Sequence, residues 1–188
     1  ELVRAQMPHA AAYVEASATR RKGTESLFDG INVTGTEALL MAATLAEGET
    51  VMQDCAREPG VADRAELLNK MGAQIEGAGT STIRVKGVSQ LHGAKHRIIP
   101  DRIEAATFII AGAMIGVDLN VPGCVPAHLA VLPEKLAEVG VKTRHTPDSV
   151  RVMGDAPSNA VEIVTDEVPG FTTDMQAQYS VLRIPAEA

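Results

Sequence analysis

The stretch TTDMQAQY, Thr172 to Tyr179, places a carboxylate inside the first turn of an expected helix, just after the turn-forming pair Pro169-Gly170. An acid there meets backbone N–H groups that have no partner within the helix, at the positive end of the helix dipole. That setting fixes its direction and lets it take a proton from a bound hydroxyl, which makes Asp174 a candidate general base. The alternative is that Thr172, Thr173 and Asp174 only cap the helix, the commonest use of such residues.

Other clusters carry groups able to meet a ligand. Asp101-Arg102 sets opposite charges side by side at the start of another expected helix; they either face a ligand or are a helix cap and a solvated arginine. Arg57 and Glu58 precede Pro59, which suits the first position of a helix, so ordering the turn is their ordinary role. Gly77-Ala78-Gly79-Thr80 looks like a phosphate loop but lacks the lysine of a P-loop, and it reads as a hairpin turn. Cys55 and Cys124 have neither close spacing nor a histidine cluster beside them; they read as small core or loop residues. His9, His92, His96, His128 and His145 are scattered and match no ligand spacing. Nothing in these patterns calls for a metal or an organic cofactor.

These residues must be held by a core, and 188 residues with 45% hydrophobic content can build one ordinary domain or two small ones. A net charge of −7, a pI near 5.2 and 3% aromatics argue against a nucleic-acid or anionic-membrane surface and for small-molecule chemistry. Two cysteines with no disulfide pattern suit a reducing cytoplasm. The longest apolar run, Ala105 to Val117, spans 13 residues. A membrane helix needs about 20, so a buried helix is expected. The start, ELVRAQMPHAAAYVEA, has no initiator methionine and no signal layout, and VLRIPAEA stops where a helix should hand over to a strand. A piece of a longer chain is the expectation.

The positioning elements repeat. Arg84 and Arg151 stand 67 residues apart, as do Glu37 and Glu104, and Met71-Gly72-Ala73 corresponds to Val139-Gly140-Val141 at 68. Each copy reads as an apolar helix (35–46, then 102–114), a strand (49–54, then 117–122), a second helix (61–71, then 127–139) and two short strands. A third copy begins near Ser158, with VEIVT as a strand and DMQAQYSVL as its first helix. The first helices are apolar nearly all round, the pattern of burial on most sides, which points to an α/β fold with helices inside and sheets outside.

TTDMQAQY, CAREPGVAD (Cys55 to Asp63), IPDRIEAATF (Ile99 to Phe108), VTGTEALLMAATLAEGETV (Val33 to Val51) and LLNKMGAQIEGAGT (Leu67 to Thr80) together resemble the enolpyruvyl transferases, in the branch acting on a sugar nucleotide. The resemblance runs from about Tyr13 to Glu187 and implies an inside-out α/β barrel of repeated helix-strand units in two domains. Residues 1–99 would belong to the domain with the catalytic loop, as one full unit and the end of another. Residues 100–188 would belong to the second domain, as one full unit and the start of the next. Helix ends at Thr34-Gly35-Thr36, Asp101-Arg102 and Thr173-Asp174 would line the cleft between the domains.

The implied substrates are UDP-N-acetylglucosamine and phosphoenolpyruvate, for the first committed step of peptidoglycan synthesis. Asp174 would be the base beside the 3′-hydroxyl. Gly30, Ile31, Asn32 and Val33 would meet the uridine nucleotide, with Asp101, Arg102, Arg57 and Glu58 near the cleft. Some members carry lysine where this chain has Gly30, which removes one charged contact to the diphosphate. The family's mobile catalytic loop matches nothing in these residues, so the chain alone is expected to be inactive. Two other readings stand beside this one: the related branch acting on shikimate 3-phosphate, and a non-catalytic ligand-binding or structural module of the same fold. The oligomeric state is left open.

Overall fold

A computed structural model describes residues 4–6, 15–17, 21–154 and 162–182. The chain forms two compact units, Glu1–His96 and Arg97–Ala188, here unit 1 and unit 2. Each has its own apolar cluster.

Unit 1 opens with an antiparallel pair, β1 (Arg4–Gln6) and β2 (Glu15–Ser17). It continues through β3 (Glu25–Leu27), α1 (Val33–Ala43), β4 (Glu49–Gln53), α2 (Pro59–Lys70), β5 (Gln74–Glu76) and β6 (Thr82–Lys86). Its sheet runs in the order β3-β4-β6-β5, with β3 parallel to β4 and the other pairs antiparallel. Along β6, Ile83 and Val85 point inward and are fully buried while Arg84 and Lys86 are exposed, the period-two alternation of a sheet with one covered face. On α2, Val61, Ala65 and Leu68 recur at helical spacing and bury one stripe. The helix stops at Gly72, φ +97°, where Ala73 N–H donates to Leu68 O and Gly72 N–H to Asn69 O. Glycine suits that left-handed position because it has no Cβ.

Unit 2 repeats the plan with α3 (Arg102–Ile115), β7 (Leu119–Pro122), a 3-10 turn (Pro126–Leu129), α4 (Val131–Glu138), β8 (Thr143–Thr146) and β9 (Ser149–Val152). Its sheet order is β7-β9-β8, all antiparallel. A second 3-10 turn (Thr173–Met175) leads into α5 (Gln176–Leu182). α5 brings the fully buried Leu182 and the buried Tyr179 to the core. The Tyr179 ring meets Phe171 edge to face at 5.3 Å, and its hydroxyl donates to Lys135 O. α4 ends at Gly140 with the same hydrogen bonds as α2, Val141 N–H to Leu136 O and Gly140 N–H to Ala137 O.

Three expectations are corrected. The second helix of the second copy is broken into a 3-10 turn and a shorter α-helix, because Pro133 has no N–H for the carbonyl four residues back. VEIVT makes no strand over 162–165, where no partner strand exists among the described residues; Val161 lies outside them. The first helices are not buried on most sides: Met41 on α1 and Phe108 and Ile115 on α3 are exposed, because only the stripe facing the sheet and one helical neighbour is covered. The α/β fold of repeated helix-strand units is as expected, and as expected of partial domains no sheet closes within either unit, each sheet having two open edges among the described residues.

Candidate functional site

In unit 2, Asp101 caps α3, its Oδ1 accepting from the N–H of Ile103 at 2.8 Å and of Glu104 at 3.2 Å. The cap leaves Arg102, the first helical residue, free to point elsewhere. Its guanidinium reaches the start of the next helical segment, donating through Nη2 to Asp174 Oδ2 at 3.1 Å and through Nη1 to Thr172 Oγ1 at 3.2 Å. The Arg102 side chain is 13% exposed and that of Asp174 is 56% exposed. A nearly buried cation therefore orients a carboxylate that remains open to a ligand. One turn further along, Gln178 Nε2 donates to Thr107 Oγ1 at 3.2 Å, so a second rung ties α5 to α3.

Thr172 makes no side-chain capping bond. Its hydroxyl is engaged by Arg102, and the turn is closed instead by Met175 N–H donating to Thr172 O. The arrangement is thus a positioned carboxylate, suited to accept a hydrogen bond and then a proton from a hydroxyl. A cavity of about 440 Å³ lies beside the start of α3, with Asp101, Glu104, Phe108, Leu119 and Cys124 among its walls.

Unit 1 holds the other candidates. Asn32 caps α1, its Oδ1 accepting from Gly35 N–H at 2.6 Å. Gly30 has ordinary backbone geometry, and a Cβ built on it meets nothing within 4 Å. Ile31 packs on the unit's core, whereas Val33 is 38% exposed. Thr36, fully buried one turn into α1, accepts through Oγ1 from Ala56 N–H at 3.1 Å. That bond fastens the Cys55–Glu58 turn to the start of α1, so Asn32 and Val33 share one end of unit 1 with Arg57 and Glu58. Arg57 is exposed; Glu58 stands just before Pro59 without a side-chain capping bond, and its Oε2 is a buried atom with no hydrogen-bond partner.

Burial pushes the Cys55 thiol up, helped by the Asp54 carboxylate and only partly opposed by a backbone hydrogen bond at Ile83. A buried thiol with a raised pKa is a poor nucleophile. Thr107 and Gln178 were not singled out in the sequence, and Thr36, expected at a helix end facing a ligand, is instead fully buried and bonded to the turn. Gln178 was within reach, standing four residues after Asp174 on the same helical face. The bond of Thr36 to the turn had no sequence signal, since its partner is a backbone N–H twenty residues on.

The profile of EPSP synthase (3-phosphoshikimate 1-carboxyvinyltransferase) matches residues 3–187, and the chain belongs to this family. Its relatives point to one branch. It is 59% identical over 187 residues to the UDP-N-acetylglucosamine 1-carboxyvinyltransferase of Koribacter versatilis, covering 100% of this chain and 43% of that protein. It is 58% identical over 176 residues to the protein of the same name from Acidobacterium capsulatum, covering 93% of this chain and 40% of the relative. The chain therefore spans less than half the length of these relatives. Among solved structures, the enolpyruvyl transferase NikO from Streptomyces tendae superposes with a TM-score of 0.75 at 24% identity, over 96% of this chain and 46% of that one. EPSP synthase from Acinetobacter baumannii gives 0.56 at 18% identity, over 98% of this chain and 42% of the other. These two likenesses show the fold.

Proposed function

We propose that this chain supplies part of an enzyme that transfers the enolpyruvyl group of phosphoenolpyruvate to the 3′-hydroxyl of UDP-N-acetylglucosamine, releasing phosphate. This would be the first committed step of peptidoglycan synthesis, a cytoplasmic reaction that serves growth, cell shape and division. Among the described residues, no helix is long and apolar enough to cross a membrane. The observation that carries the reading is the oriented, half-exposed Asp174, held by Arg102 and standing in TTDMQAQY. The names of the relatives favour the sugar-nucleotide branch over the shikimate one.

In this reading the Asp174 carboxylate takes the 3′-hydroxyl proton as that oxygen bonds to C2 of phosphoenolpyruvate, while C3 gains a proton. Loss of a C3 proton and departure of phosphate from C2 then restore the double bond. Arg102 acts through Asp174 as a positioning residue. Gly30, Ile31, Asn32 and Val33 serve the nucleotide, through backbone groups and the Asn32 side chain. Asp101 holds α3 in place, and Arg57 and Glu58 order the turn beside the nucleotide loop.

Replacing the matching 187 residues of the Koribacter versatilis relative by this chain gives a protein of the relative's full length in which the proposal can be measured. The chimera should release phosphate from phosphoenolpyruvate with UDP-N-acetylglucosamine and not with shikimate 3-phosphate. Asp174→Asn should lower kcat by about 10²–10⁴-fold, the usual worth of a general base, with little change in KM for the sugar nucleotide. Undiminished turnover would remove Asp174 from the mechanism.

A further inference from the structure

Residues 87–96 contain no helix or strand, yet they are bound along unit 1. Gly87 N–H donates to Gly48 O, Val88 N–H to Thr44 O and His92 N–H to Met71 O, each at 2.9 Å. Leu91 packs on the apolar cluster of unit 1. The last residue of this run is the last of unit 1, His96, and its side chain is 5% exposed.

Four ionisable side chains meet there. His96 Nε2 lies 2.9 Å from Asp63 Oδ1, Lys70 Nζ lies 3.0 Å from His96 Nδ1, and the same ammonium donates to Glu66 Oε1 at 2.6 Å. Asp63, Glu66 and Lys70 all stand on α2; the Asp63 side chain is 11% exposed, whereas those of Glu66 and Lys70 are open to solvent. A lysine ammonium only donates, so Nδ1 must be the accepting nitrogen, and Nε2 carries the proton that goes to Asp63. His96 is thereby assigned as the neutral Nε2–H tautomer in a chain running Glu66, Lys70, His96, Asp63. The ligand atoms of Asp63, Glu66 and His96 lie within 4.8 Å of one another, a spacing a metal ion can bridge. Here the Lys70 ammonium already supplies the cation, and it holds the Glu66 carboxyl below its ordinary range.

We infer that residues 87–96 are a strap, buckled to α2 by His96, and that this buckle sets how much free chain joins the two units. With the buckle closed, only 97–100 are free before Asp101 caps α3. From His96 to Asp101 are five steps of chain, which fully extended reach about 17 Å. If the buckle opens while the His92 bond holds, 93–100 are free and the nine steps from His92 reach about 31 Å. The strap is a tether-length device built into unit 1, and it does not depend on the proposed reaction.

The test uses the 188-residue chain and nuclear magnetic resonance. The ring nitrogens of His96 should show the neutral Nε2–H pattern at neutral pH; a cationic or Nδ1–H pattern would overturn the assignment. Backbone order parameters over 93–96 should match those of α2, near 0.85, and should fall below about 0.6 in Asp63→Asn and His96→Ala. Exchange of the His92 amide should quicken about tenfold in the same variants, a change of about 1.4 kcal/mol in local opening. His96→Gln, whose amide can still donate to Asp63, should restore most of the order. Should His96→Ala fail to fold, Asp63→Asn carries the test, because it keeps the shape and weakens only the pairing. Unchanged order and exchange in the variants that fold would sink the proposal.

Discussion

The two units are built on one repeat and differ most where the first helix of each begins. In unit 1 that end is closed. Asn32 caps α1, the next residue is the apolar Val33, and Thr36 is used up in holding the Cys55–Glu58 turn. In unit 2 the corresponding positions, counted from the cap, are Asp101, Arg102 and Ala105. Asp101 caps, Arg102 leaves the helix to orient Asp174, and Ala105 has no hydroxyl with which to hold the turn beyond β7. A cavity of about 440 Å³ lies there instead. The repeat supplies the scaffold, and the residues of the first helical turn decide whether that end is tied down or carries an oriented, open carboxylate.

Exchanging those residues between the units tests this directly. The largest effect is expected from Arg102→Val in the full-length chimera, which writes the residue of unit 1 into unit 2. A hydrogen-bonded ion pair is worth about 1.5–3 kcal/mol, so kcat should fall about 10–100-fold. Folding should be little affected, since Asp101 still caps α3. Val33→Arg, the reverse exchange, should leave kcat within about twofold, because the charge would stand on a half-exposed surface position. Equal losses from the two would mean that Arg102 matters only for general charge.

The next largest concerns the closed end. Thr36→Val keeps the shape but leaves the Ala56 N–H in a buried site without its acceptor, which costs about 1–3 kcal/mol. The urea midpoint should drop accordingly with an unchanged slope. Gly30 provides a milder check from the same end: Gly30→Lys should fold normally, since its Cβ meets nothing within 4 Å. In the full-length chimera it should also tighten binding of the proposed substrate UDP-N-acetylglucosamine, by adding a cation at residue 30.

Much of this scaffold is legible in the sequence. Gly72 and Gly140, matched in the repeat, do end equivalent helices with identical hydrogen bonds, because a left-handed residue followed by an apolar one is a local signal. The hairpin at Gly77–Thr80 was also local, with Gly77 and Gly79 at positive φ. Pro133 could have warned of the break in the second helix and was passed over. The exposed faces of α1 and α3 could not be foreseen, because apolarity says which residues seek burial and not which neighbours are present. Of the candidate site, Asp174 and Arg102 were each visible as helix-start residues. Their pairing was not, since it joins positions 72 apart in sequence.

The caps come next in size. Asp101 accepts two backbone N–H bonds and brings a charge to the helix start, whereas Asn32 accepts one and is neutral. Loss of such caps costs about 0.5–2 kcal/mol, so Asp101→Ala should fall near the top of that range and Asn32→Ala near the bottom. Each can be read from denaturant unfolding of the 188-residue chain. The reverse order would mean that the charge adds nothing to the cap.

The smallest effect separates a pair of matched arginines on the sheets. Arg151 grips Asp118 with two bonds of 2.6 Å, whereas its repeat partner Arg84 only approaches Glu49 at 4.0 Å. The hydrogen bond from Arg151 holds the Asp118 carboxyl below its ordinary value. A carboxyl lowered in the folded state contributes stability that is present above its unfolded pKa and is lost as the pH falls through the folded one. Acidifying from about pH 5 to about pH 2 should therefore cost the parent chain slightly more than Asp118→Asn, measured as the shift in urea midpoint. Both sites are exposed, so added salt should shrink the Asp118 contribution further. A salt-insensitive difference would mean that the Asp118 carboxyl responds to something other than the exposed Arg151 pair.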